Sequence, residues 1–80
     1  MEIGKMIVLI NVKTKKEIVM YITKEFPFKE ICNAIQRGFF KIRTPTNEEM
    51  EYCYWCYETT DKHGCDLDGI NNWRIAKNKV

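Results

Sequence analysis

Apolar positions fall in short blocks, and their spacing changes along the chain from strand-like to helical and back. Met6-Ile-Val-Leu-Ile-Asn-Val12 and Ile18-Val-Met-Tyr-Ile22 are rich in β-branched residues, the composition of strands. Between them Lys13-Thr-Lys-Lys-Glu17 is a charged connector of hairpin length. It has no Asn-Gly or Asp-Gly pair, so the turn type stays open. Neither strand alternates cleanly. Ile7 and Leu9 point one way while Val8, Ile10 and Val12 point the other, so both faces are apolar. That pattern suits a strand covered on both sides, or a sheet face kept for a partner.

The helical period follows. Pro27 fits a first turn, where its missing N–H costs nothing. Phe28, Ile31, Cys32 and Ile35 then recur at i, i+3, i+4 and i+7, an apolar stripe predicted to pack. Lys29, Asn33, Gln36 and Arg37 take the wet side, and Gly38 stands where a left-handed residue ends a helix. Thr23 is the nearest capping hydroxyl, a little early in the chain.

After Gly38 the pattern reads as strand again. Phe39–Arg43 alternates loosely, and Thr44-Pro-Thr-Asn-Glu48 is turn chemistry. Met50-Glu-Tyr-Cys-Tyr-Trp-Cys-Tyr57 is the most aromatic stretch and is predicted to be a strand. Residues 58–69 read as a long polar loop, 70–76 as a last strand centred on Trp73 and Ile75, and 77–80 as a frayed tail. The expected architecture is a single α+β domain over residues 1–80, in the order β-β-α-β-β-(β). One helix lies on one face of a mainly antiparallel sheet.

Length sharpens the picture. A chain of 80 residues buries only about 60% of its unfolded surface, so a disulfide, a metal or a partner is a natural supplement. The longest apolar run, Met6 to Ile10, is far short of the roughly 18–20 residues that span a bilayer, and no signal peptide is visible. The expectation is a cytoplasmic protein without a membrane partner, in which thiols stay reduced. In an exported protein the four cysteines would allow three pairings into two disulfides.

Candidate chemistry concentrates in Cys53-x2-Cys56-x6-His63-x-Cys65. Four ligands of these types form a Cys3His zinc site when they converge at about 2.0–2.3 Å. Tyr54 and Trp55 lie between the first two cysteines, where a zinc knuckle carries small turn-forming residues. A strand over 50–57 would also send Cys53 and Cys56 to opposite faces, excluding a shared ion. Buried free thiols are the preferred reading, and zinc the alternative. A thioredoxin-type redox pair lacks its βαβ setting, and a thiolate–His63 catalyst lacks an orienting carboxylate, so no catalytic residue is assigned. Asp66-x-Asp68-Gly69 lacks the full ligand pattern of a calcium loop and reads as a turn.

Phe39, Phe40, Lys41 and Arg43, and later Trp73, Arg74, Lys77 and Lys79, interleave rings with cations as single-strand binders do. The formal net charge of only +2 argues against phosphate tracking. Protein binding fits better. Ten aromatic residues exceed what one helix and a small sheet need, and one helix covers one sheet face. Tyr52, Tyr54, Trp55, Tyr57 and Trp73 are the expected partner anchors, on a second copy or another protein.

Ten lysines against three arginines, with ten isoleucines and six asparagines, have the flavour of an AT-rich genome. The layout of Met6–Val12, Ile18–Ile22, Ile31-Cys-Asn-Ala-Ile-Gln-Arg-Gly38 and Phe39-Phe-Lys-Ile42 resembles small uncharacterised proteins of Gram-positive phages and mobile elements. The likeness covers residues 6–43 and is architectural. It implies a non-enzymatic protein that occupies a host protein's surface, as anti-defence and host-takeover inhibitors do. It carries no site residues. The alternative is a zinc-stabilised nucleic-acid-binding module built on Cys53, Cys56, His63 and Cys65.

Overall fold

The computed structural model describes residues 2–60 and 64–78. Four strands, β1 (Met6–Asn11), β2 (Glu17–Tyr21), β3 (Phe40–Arg43) and β4 (Gly64–Asp66), form one sheet in the order β3-β1-β2-β4. All three neighbouring pairs are antiparallel. Helices α1 (Phe28–Gln36), α2 (Asn47–Thr60) and α3 (Ile70–Asn78) complete an α+β domain.

The β1–β2 hairpin turns on Asn11, whose Oδ1 accepts from the N–H groups of Lys13 and Thr14 at 3.0 and 3.1 Å. Lys15 adopts a left-handed φ of 66°, so an Asx turn replaces the absent Asn-Gly. Helix α1 ends as its sequence predicts. Gly38 has φ 82°; its N–H donates to Ile35 O at 3.0 Å and that of Phe39 to Ala34 O at 2.9 Å, a Schellman cap. Phe28 and Ile31 pack, but Cys32 is exposed, contrary to its expected place on the packed stripe.

Two of the expected strands are helices. Residues 50–57 lie within α2 and residues 70–76 within α3, while the expected loop 58–69 contains β4 and a 3-10 turn at Leu67–Gly69. The physical reason for α2 lies just upstream of the aromatic run. The Thr46 N–H donates to Glu49 Oε1 at 2.8 Å, and the Glu49 N–H donates to Thr46 Oγ1 at 3.2 Å. This reciprocal capping box satisfies two donors that a helix start otherwise leaves open. Glu48 and Glu49 also set negative charge against the positive end of the helix dipole.

These helices give the sheet cover on both sides. Val8 and Val19, paired across β1 and β2 and wholly buried, pack with Tyr52, Cys53, Cys56, Cys65, Ile70 and Trp73. Ile7, on the opposite face, packs with Ile22 and Phe26, with Met20, Phe28 and Ile31 against them. Helices α2 and α3 therefore cover one face and α1 the other. The expected single helix on a single face is corrected to this three-layer arrangement.

Arg43 fastens the sheet to α2. It donates through Nη1 and Nη2 to the two Glu49 oxygens at 2.7 and 2.6 Å, and through Nε to Glu17 Oε1 at 3.0 Å. The guanidinium holds the Glu49 carboxyl down to about 2, against desolvation that would raise it, with help from Thr46. A depressed folded-state pKa gives stability that is fully present above the unfolded value and is lost as pH falls. Acid titration of urea stability should therefore show a loss between about pH 4.5 and pH 2, on the order of 1–2 kcal/mol for this surface-adjacent pair. Glu49→Gln should lower stability at pH 7 and flatten that acid limb; an unchanged limb would remove Glu49 as its origin.

Candidate functional site: the aromatic face of α2

The helical period sorts the aromatic run into an inner and an outer set. Tyr52, Cys53 and Cys56 face the sheet, while Tyr54, Trp55 and Tyr57 face outward. Tyr52 and Trp73 are only 5% and 7% exposed, with ring centroids 5.6 Å apart. The Tyr52 hydroxyl donates to Asp66 O at 2.9 Å, which ties α2 to the β4 end. Its ring fits there because residue 69 is glycine: a Cβ would stand 2.7 Å from the hydroxyl oxygen. Two of the five expected anchors are thus core residues. Tyr54, Trp55 and Tyr57 keep 55%, 43% and 44% of their surface exposed, so the structure brings these three together on one helix face.

Two clefts flank that face. One, about 380 Å³, lies between α2 and the end of β2 and includes Tyr21, Cys53, Tyr54, Tyr57 and Glu58 in its wall. The other, about 490 Å³, runs between α2 and α3 past Trp55 and Trp73. Tyr54 and Glu58 belong to both and form the ridge between them. Helix α3 is held by ion pairs from Arg74 to Glu48 and from Lys77 to Glu51, the second at 3.1 Å. The Lys77 ammonium also sits 4.9 Å from the Trp73 ring centre, a cation–π contact.

The cysteines take a different arrangement from either sequence expectation. Cys56 on α2 and Cys65 on β4 are joined by a disulfide, with their Cα atoms 6.5 Å apart, while Cys53 and Cys32 are free thiols. The reading of Cys56 and Cys65 as free buried thiols is corrected accordingly. Because 50–57 is helical, Cys53 and Cys56 share the inner side of α2 instead of taking opposite faces. The expected ligand His63 lies outside the described residues. Among the described residues no group of three or more His, Cys, Asp or Glu side chains is arranged to hold a metal. Burial pushes the Cys53 thiol above its usual range, so it stays protonated and a poor nucleophile.

The basic–aromatic interleaving also resolves into structure. Trp73 is buried, and Arg43, Arg74 and Lys77 are engaged by carboxylates. Phosphate would have to displace those partners at these three cations, while Phe39 and Lys41 stay exposed and Lys79 lies outside the described residues. Among the described residues, no helix is long and apolar enough to cross a membrane.

The signal for this site was the capping box Thr46-x-x-Glu49, which sets the period on which the outward rings depend. The disulfide closes a loop across a sequence separation of 9, which by chain entropy stabilises by roughly 2–3 kcal/mol. Reductant should lower the unfolding free energy of the wild-type protein, measured in urea, by that amount and leave a Cys56→Ala/Cys65→Ala variant unmoved; equal response of both would remove the cross-link's role. No protein-family model, curated protein or solved structure matches this chain.

Proposed function

We propose that this chain is a non-enzymatic protein-binding module that docks through the outward face of α2. The observation that carries the reading is the row Tyr54, Trp55 and Tyr57, half exposed on one helix and flanked by two clefts. Core packing explains Tyr52 and Trp73, and Trp55 stacks on Tyr52 with ring centroids 6.3 Å apart, yet about half of the surface of each of the three outer rings is left in water. Aromatic side chains of this kind supply most of the energy at protein interfaces, and their few rotamers make ordering them cheap.

The mode of action is stoichiometric: occupation of a partner's surface rather than turnover. The resemblance in residues 6–43 makes a host protein the expected partner, with an anti-defence or host-takeover inhibitor as the biological form. A cytoplasmic address belongs to the same reading, and there the Cys56–Cys65 pair would face a reducing poise. A second copy of the chain is the other occupant to test, because a two-fold dimer would bury the same rings against themselves.

Sedimentation equilibrium and capture from host lysate, run on wild type and on Tyr54→Ala/Trp55→Ala/Tyr57→Ala, separate these outcomes. The expected result is a partner, or a dimer, that wild type forms and the triple variant loses by at least about 100-fold in affinity. The substituted side chains are about half buried and Trp55 stacks on Tyr52, so far-UV circular dichroism must show the triple variant folded before its loss of binding is read. A partner held equally by both proteins would move the binding surface elsewhere.

A further inference from the structure

We infer that the cleft between α2 and the end of β2 receives a lysine side chain of the docked partner. This rests on the docking reading above and gives it a chemistry. Three tyrosines, Tyr21 from β2 and Tyr54 and Tyr57 from α2, contribute to one concave wall, with Met6 and the protonated Cys53 as its apolar remainder and Thr23 at its rim. A volume of about 380 Å³ is ample for a butylammonium chain. Aromatic faces carry negative potential, and rings gathered around a cleft recognise a cationic head while the walls bury its methylenes.

Charge selects the sign of the occupant. The outer side of α2 bears Glu48, Glu51 and Glu58. Glu48 is paired with Arg74 and Glu51 with Lys77. Among the described residues Glu58 has no ion-pair partner, and it stands in the wall of this cleft beside Tyr54. The molecule already contains the same chemistry one cleft away, where Lys77 lies over Trp73 and reaches Glu51. In the α2–β2 cleft the rings and the carboxylate are present, and among the described residues no cation of this chain stands in its wall.

The test is NMR titration of the full chain with the peptides Ac-Gly-Gly-Lys-Gly-Gly-NH2 and Ac-Gly-Gly-Nle-Gly-Gly-NH2, where norleucine keeps the methylenes and removes the charge. Saturable amide shifts are expected at Thr23, Cys53, Tyr54, Tyr57 and Glu58 with the lysine peptide. The norleucine peptide should bind at least about fivefold more weakly. Tyr57→Leu, which keeps apolar bulk and removes the ring, should weaken lysine binding about fivefold. Glu58→Gln should weaken it about threefold, with a smaller salt dependence. Equal binding of both peptides, shifts confined to other surfaces, or no saturation would overturn the lysine assignment. Capture by wild type that is lost in Trp55→Ala would leave the docking reading standing in that case, since Trp55 is outside the wall of this cleft.

Discussion

The central strand of this domain is apolar on both faces, and the rest of the structure follows from covering both. Val8 sits on one side of β1 and Ile7 on the other, and neither keeps more than a trace of exposure. At about 25 cal/mol per Å² of apolar surface, leaving either face wet would cost several kcal/mol in a domain whose total stability is of that order. The short helix α1 covers only part of one face and has no fully buried residue of its own. The second face is closed by α2 and α3 together, through Tyr52, Cys53, Cys56, Ile70 and Trp73. A strand in place of either helix would have extended the sheet without covering it.

The first half of the chain was legible and much of the second was not, for a definite reason. Residues 6–43 carry signals that act locally: β-branched runs, a 3.6-residue stripe, and a glycine whose φ of 82° only a residue without Cβ takes up easily. In 50–57 the composition favours a strand, since Tyr and Trp are strong β-formers. Composition lost to the start signal. Thr46-x-x-Glu49 fixes a helical first turn, and Arg43 then anchors that turn to β3 with two hydrogen bonds to Glu49. In segment 70–76 the strand-like residues Trp73 and Ile75 likewise yield to a helix start. Asp66, whose carboxylate accepts from the Asp68 N–H at 3.2 Å, already marks a capped helical turn before it.

The period of segment 50–57 also decides the site. On a strand, Cys53 and Cys56 diverge and all the aromatic side chains divide evenly between two faces. On a helix, residues three apart converge. Cys53 and Cys56 therefore enter the core together, and Cys56 reaches β4 to meet Cys65. The need of a small domain for a covalent or metal supplement was visible in its length; the form it takes, a cross-link between α2 and an edge strand, depends on the packing of segments that sequence spacing alone does not place.

The same helical sorting decides which rings are available for recognition. A period of two would have put Tyr52 and Tyr54 on one face and Trp55 and Tyr57 on the other; the helix draws Tyr52 inward and leaves Tyr54, Trp55 and Tyr57 on one outward arc. Their carrier is fixed along its length: by Thr46, Glu49 and Arg43 at its start, by the Tyr52 hydroxyl on Asp66 O in its middle, and by the Cys56–Cys65 link further on. Rings held on such a rod lose little further entropy when a partner arrives, so more of their contact energy is available as affinity. The residues that close the sheet are thus also those that hold the outward face in shape, and weakening the inner set should blunt recognition without touching a single exposed ring.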